Sequence, residues 1–379
     1  MKHVAPIRLF VDAHVFDGPH QGTRSFIQGL YSRVRNEAGI KLFLAARDTE
    51  KLAAYFEPDE NTILLRYTSK SRYRRLLFEI PRMLRKHSID YAHFQYITPL
   101  SKPCFFIVTT HDVLFCDLPA DFSVAMKMVK KWLYKKAAHH ADLLTTVSDH
   151  ARGSIRKHLG VPFHKIALVP NGVDRHDHRP SQQEAAREIR SRYGIEKFVL
   201  LVSRIEPRKN HELLVRLFTR LQLADRGFHL VFIGRKTQDT PALEAALAAL
   251  PQAEREKIVF IDQLDTPTLQ QFYCAATVFA FPSRGEGFGI PPLEAAAAGT
   301  PVICSRAAAL ESFDFFGDDH IDPKDERAFE SRLSYHINGP RNNDLLHARA
   351  ETVRQRYCWG ASARSFVQLI RDHHQNQAT

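Results

Sequence analysis

Pro282-Ser283-Arg284-Gly285-Glu286-Gly287-Phe288-Gly289-Ile290-Pro291-Pro292-Leu293-Glu294-Ala295 follows the short apolar run Val278–Phe281 and leads into an alanine-rich stretch that ends at Gly299. An apolar run of four residues bounded by Pro and Gly reads as a buried strand, and paired prolines suit a first helical turn. A strand–loop–helix unit follows, with the helix beginning near Pro291 and Pro292. Three glycines in the loop let the backbone approach a ligand closely. The free N–H groups and the dipole of the helix start favour a phosphate-bearing or hydroxyl-rich ligand. Glu286 falls in the loop and Glu294 in the first turn. An ionised carboxylate accepts several hydrogen bonds, so two of them beside one pocket suit the hydroxyl pairs of a sugar or a ribose.

As a whole string, Pro-Ser-x-x-Glu-Gly-Phe-Gly-x-Pro-x-x-Glu-Ala resembles the donor-binding motif of the retaining GT-B glycosyltransferases of family 4 (glycosyl transferases group 1). The resemblance implies that Glu286 faces the donor sugar and Glu294 binds the nucleotide ribose. It also implies that Gly287 and the backbone N–H groups of Phe288, Gly289 and Ile290 meet sugar hydroxyls or phosphate.

Upstream, Ser203-Arg204-Ile205-Glu206-Pro207-Arg208-Lys209-Asn210-His211 is similar to the family's stretch that pairs an arginine with a lysine five residues later. Negative charge builds on a departing diphosphate, so cations at that oxygen stabilise the transition state more than the ground state. These roles fall to Arg204 and Lys209, with Arg208 a competitor for the phosphate.

Further out, short apolar runs alternate with helical patterns. Strands are expected at residues 7–10, 41–45, 90–94, 105–109, 143–146 and 166–169, and again at 198–202, 230–233, 258–261, 278–281 and 301–304. This recurrence predicts βαβ units and parallel sheets. Polar residues fill 174–192, which reads as a linker near 175–196. An amphipathic helix is expected at 362–374, with Phe366, Leu369 and Ile370 on one face. The resemblance implies the GT-B class, two Rossmann-like doubly wound α/β domains facing across a cleft. Residues 1–180 would be the acceptor domain and residues 196–358 the donor domain, with a C-terminal helix, residues 360–379, returning to the first.

Open parallel sheets place ligands at the carboxyl ends of their strands, which singles out two further positions. His111, in Thr109-Thr110-His111-Asp112, stands where the family often carries His-Asp, and is the candidate catalytic contact from the first domain alongside Arg204, Lys209 and Glu286. Gly22, in Gly18-Pro19-His20-Gln21-Gly22-Thr23-Arg24, stands where the family has a glycine-rich turn near the donor phosphates, and Arg24 is a weaker candidate beside it.

The chain has 379 residues, 44% of them hydrophobic, enough for two ordinary cores and against a disordered state. No stretch reaches the ~18 uncharged apolar residues of a membrane span, and a cytoplasmic location is expected. Five cysteines without a C-x-x-C pair read as buried free thiols. The net charge of +11 lies wholly in residues 1–180. Two basic runs with apolar neighbours, residues 69–87 and 127–136, suit an anionic membrane surface as well as plain solvation.

No Asp-x-Asp occurs, so no metal and no cofactor is expected. The partners are then a nucleotide sugar, a saccharide or lipid-linked acceptor and, peripherally, the inner face of the membrane. The expected reaction moves a hexose with retention in surface polysaccharide or lipopolysaccharide assembly, as a hexosyltransferase. A dinucleotide oxidoreductase is disfavoured because the first strand lacks Gly-x-Gly-x-x-Gly. Nucleic-acid binding is disfavoured because no recognised motif accompanies the basic runs. A catalytically silent GT-B scaffold or partner subunit is the remaining alternative.

Overall fold

Apolar runs too short for helices, and rich in Val, Ile, Leu and Phe, are what a parallel sheet buried on both faces requires. A computed structural model describes residues 5–18, 21–173 and 180–378, and these runs form two parallel sheets of seven and six strands. The chain divides into two compact units, Met1–Asp174 with Tyr357–Thr379, and Arg175–Arg356.

In the first unit the strands are β1 (Ile7–Asp12), β2 (Ile40–Ala46), β3 (Thr62–Arg66), β4 (Tyr91–Gln95), β5 (Phe105–Thr109), β6 (Leu143–Thr146) and β7 (Ile166–Leu168). Their order across the sheet is β3-β2-β1-β4-β5-β6-β7, so the direction of winding reverses between β1 and β4. Leu9, Phe10 and Val11 of β1 and Phe106, Ile107 and Val108 of β5 are fully buried.

The second unit holds β8 (Lys197–Val202), β9 (Phe228–Ile233), β10 (Ile258–Ile261), β11 (Val278–Phe281), β12 (Val302–Ser305) and β13 (His320–Ile321), in the order β10-β9-β8-β11-β12-β13. Val199 pairs with Val278 and Leu200 with Phe279. The reversal therefore falls between β8 and β11, and the carboxyl ends of strands at such a switch point are where open α/β sheets bind ligands.

Three features depart from the sequence expectation. Strands β3 and β13 were not anticipated, one a half-exposed edge strand and the other only two residues long. The segment read as a linker carries the helix Gln182–Tyr193, which starts with a capping box of Ser181 and Glu184 and buries only Ala185 and Ile189; residues 175–179 of that segment lie outside the described residues. The second unit thus begins well before residue 196. All five cysteines are free, but only Cys274 and Cys304 are buried, the others being half-buried.

The C-terminal helix spans Trp359–Ala378 and packs on the first unit. Val173 pairs with Cys358, and Ser362 Oγ donates to the Pro170 carbonyl at 2.8 Å. Trp359 lies against Gly29 and Gly172. A Cβ at Gly29 would sit 2.0 Å from its Cε2, and one at Gly172 would sit 2.4 Å from its backbone nitrogen.

Candidate active site

The loop after β11 is shaped by the residues read first. Gly289 takes φ +104°, a left-handed conformation that favours glycine, and caps the helix Ile290–Ala297. A Cβ there would also meet Leu310 Cδ2 at 2.3 Å. Phe288 is buried against Phe313, ring centroids 6.2 Å apart. This anchors the side chain inward and fixes the course of the backbone through Gly287, Phe288, Gly289 and Ile290.

Glu286 is the centre of a buried cluster. Its Oε1 lies 2.6 Å from Lys209 Nζ and accepts from Ser283 Oγ at 2.5 Å, while its Oε2 lies 3.0 Å from Arg208 Nη1. Arg208 also donates to the Gly285 carbonyl at 2.7 Å and pairs with Glu206 at 3.0 Å. Burial pushes the Glu286 carboxyl up, but the Arg208 and Lys209 charges and the hydrogen bonds outweigh it and hold it at about 2. Burial pushes the Lys209 ammonium down to about 8 against the opposing pull of Glu286.

Lys209 and Arg208 stand in a 3-10 turn, Pro207–Lys209, closed by Asn210 at φ +59°. Arg204 differs: its side chain is 48% exposed and reaches Glu206 at 3.1 Å. Three cations, Arg204, Arg208 and Lys209, thus face two carboxylates, Glu206 and Glu286. Gly234 lets β9 approach this loop, since a Cβ there would lie 2.0 Å from the Ser203 carbonyl oxygen.

Glu294, in the helix Ile290–Ala297, accepts from the buried Tyr273 hydroxyl at 2.8 Å through its Oε2. Sequence reasoning left Arg208 a competitor and passed over Glu206, Ser283 and Tyr273. The position of Glu206, two residues after Arg204, was a usable signal, whereas nothing in the sequence tied Tyr273 to Glu294.

In the first unit, His111 follows β5 at the carboxyl end of the sheet and is 7% exposed. Its Nε2 lies 2.6 Å from Gln95 Oε1, and Phe26 packs on the ring edge to face at 4.9 Å. Burial pushes its imidazole down to about 3, so it is neutral at physiological pH. Gly22 is not in a loop but opens the helix Gly22–Val34, with open space where a Cβ would stand. Pro19 and His20 of that turn lie outside the described residues. Arg24 is buried, its guanidinium 4.9 Å from the Phe16 and Tyr55 ring centroids. Among the described residues no group of three or more His, Cys, Asp and Glu side chains gathers to hold a metal, and no helix is long and apolar enough to cross a membrane.

The sequence matches two family profiles, "Glycosyltransferase Family 4" over residues 29–177 and "Glycosyl transferases group 1" over residues 182–351. It is similar to the O-antigen chain mannosyltransferase RfbU of Salmonella typhimurium, 25% identical over 60% of this chain and 59% of that protein. It is also similar to the O-antigen chain mannosyltransferase B of Escherichia coli, 25% identical over 67% of this chain and 66% of that one. The match thus spans less than two thirds of either relative's length.

Among solved structures the fold is similar to sucrose-phosphate synthase from Thermosynechococcus elongatus, at TM-score 0.74 and 18% identity, covering 98% of this chain and 100% of that one. It is likewise similar to Anabaena Alr3699/HepE in complex with UDP and glucose, at TM-score 0.75 and 14% identity, covering 97% and 100%. With one profile on each unit, two parallel sheets of this topology and the motif at β11 in place, the chain belongs to the GT-B glycosyltransferases of family 4.

Proposed function

We propose that this protein transfers a hexose from a nucleotide diphosphate sugar, without a metal and with retention of configuration, to a saccharide or lipid-linked saccharide in surface polysaccharide or lipopolysaccharide assembly. The observation that carries this reading is the buried Glu286–Arg208–Lys209 cluster, set beside the half-exposed Arg204 on the two loops that leave the switch point of the second sheet. Cations fixed at the departing diphosphate stabilise the charge that develops there, which is the work a divalent ion does in other transferases. Glu294 receives the ribose hydroxyls, Glu286 faces the sugar, and the backbone of Phe288, Gly289 and Ile290 meets its hydroxyls or the phosphate. In the first unit, neutral His111 and the open side of Gly22 are the proposed contacts of sugar and acceptor.

The O-antigen relatives motivate the polysaccharide assignment and a mannose-type donor, and a uridine-linked hexose is the other candidate. A lipid-linked acceptor fits the exposed face of the helix Val124–His140, where Met128, Val129 and Trp132 are 69%, 57% and 63% exposed beside Lys131 and Lys135. Such a face suits an anionic bilayer. Lys127 and Lys130 turn instead onto the protein, toward the Pro119 carbonyl and the Phe115 and Phe122 rings.

Transfer assayed in excess chelator, with the anomeric configuration of the product read by NMR, tests the proposal. The expected result is undiminished transfer with the donor's configuration kept. Inversion, or loss of transfer on chelation, refutes it. The silent-scaffold alternative predicts neither transfer nor donor hydrolysis.

A further inference from the structure

At the opposite end of the second sheet lies a second cationic hollow. A cavity of about 210 Å³ opens beside Thr277 and Pro301, the residues just before β11 and β12. It therefore sits at the amino ends of strands whose carboxyl ends carry the donor loops. Its wall includes Arg332, His336, Arg341, Asn342 and Arg349.

These cations are incompletely matched. Arg332 Nε and Arg349 Nη1 each donate to the fully buried Asp319 at 2.8 Å, and His336 Nε2 lies 2.7 Å from the same carboxylate. Arg341 has no carboxylate partner among the described residues, its Nη2 donating to the Gly299 carbonyl at 2.5 Å. Arg349 is 7% exposed; its Nη2 donates to the Phe316 carbonyl, and only its Nε is buried without a hydrogen bond. Two guanidiniums and an imidazole thus share one carboxylate, and the third guanidinium, Arg341, meets only a backbone carbonyl. Asn342, whose Oδ1 accepts from the Leu345 amide at 3.0 Å, places the start of the helix Asn343–Arg356 at the same rim. Desolvated, underpaired guanidiniums beside a helix start recognise small tetrahedral oxyanions through charge-assisted hydrogen bonds.

We infer that this hollow is a second anion site, taking inorganic phosphate or a phosphate monoester, separate from the donor site and independent of the donor assignment. A free phosphate and the phosphate of a small metabolite share this chemistry, and competition between inorganic phosphate and a sugar monophosphate distinguishes them.

The test is a titration of the full chain with inorganic phosphate, against chloride at equal ionic strength, followed by calorimetry and thermal unfolding. The wild-type protein should bind phosphate. Arg341→Gln, which removes one charged donor, should weaken that binding about tenfold. Arg204→Ala, which alters the donor loop, should leave it unchanged. Arg332→Gln supplies the same test if Arg341→Gln does not fold. The inference is overturned by absence of phosphate-specific binding, by equal binding in the Arg341 and Arg332 variants, or by loss of binding in Arg204→Ala.

Discussion

Lys209 Nζ and Glu286 Oε1 stand 2.6 Å apart, although 77 positions separate the residues in the chain. The contact joins the loop after β8 to the loop after β11, strands that are neighbours only because the sheet reverses direction there. With Arg208 on the second carboxylate oxygen, the pair sets the local charge before any ligand arrives.

Replacing Glu286 by Gln leaves Arg208 and Lys209 buried beside a neutral group. Breaking a buried ion pair from one side costs about 3–5 kcal/mol. Glu206 still neutralises Arg208 in part, so a loss of about 3 kcal/mol is expected in urea denaturation. Transfer should fall by about 100-fold or more.

Lys209 supplies an alkaline limit. Its folded-state value is lowered to about 8 while the unfolded chain keeps the ordinary 10.5. Between those values the unfolded state binds more protons, so this group makes stability rise with pH across the window, whereas below about pH 8 its full cost is present. Activity moves the other way, because the cation is lost. For the donor, kcat/KM should decline above about pH 8, and Lys209→Arg should abolish that limb. A flat profile to pH 10 in the wild-type protein would show that the charge on Lys209 is not needed.

Tyr273 is buried, donates one hydrogen bond to Glu294 and packs its ring on Phe279 of β11. Tyr273→Phe should weaken binding of a nucleoside diphosphate by about 3–10-fold, the worth of one such bond. Binding of the 2′,3′-dideoxy analogue, which has no ribose hydroxyl pair for Glu294, should not change. Equal weakening of both ligands would mean that Glu294 does not serve the ribose.

Gly29→Ala tests the seat of the returning chain. The new methyl would lie 2.0 Å from Trp359 Cε2, and overpacking of this kind costs about 1–3 kcal/mol or more. Trp359 is 4% exposed and packs on Phe26, which in turn packs on His111. Displacement of the indole should therefore lower the unfolding temperature and shift its fluorescence; an unchanged unfolding temperature would count against this packing.

The legible parts of the sequence were those whose signal is local. Val278–Phe281 and the glycine-proline string after it announced strand, loop and helix, and Gly289 does adopt a conformation that favours glycine. The helix Gln182–Tyr193 was passed over because only two of its side chains are buried, so its apolar period is faint; the Ser181-x-x-Glu184 capping box was the available cue. β3 is half-buried over its three central residues and β13 is two residues long, and neither shows much pattern outside its sheet. At the site, residue types and spacing pointed to cations and carboxylates. Which of Arg204 and Arg208 turns inward depends on the Pro207–Lys209 turn, a tertiary outcome that spacing does not encode. Gly22 opens a helix rather than occupying a loop because Gln21 already has the extended conformation of an N-cap.

A nucleoside diphosphate is proposed to bind at Arg204, Arg208, Lys209 and Glu294 without a metal. Thermal unfolding with uridine, guanosine, adenosine and thymidine diphosphates, each with and without a chelator, tests it most directly. A ligand at 100 times its Kd stabilises the folded state by about 2.7 kcal/mol, a shift of a few degrees for a chain of this size. Such a shift is expected for one of the four, unchanged by the chelator and lost in Glu294→Ala. No shift for any nucleotide, or one that the chelator abolishes, would contradict it.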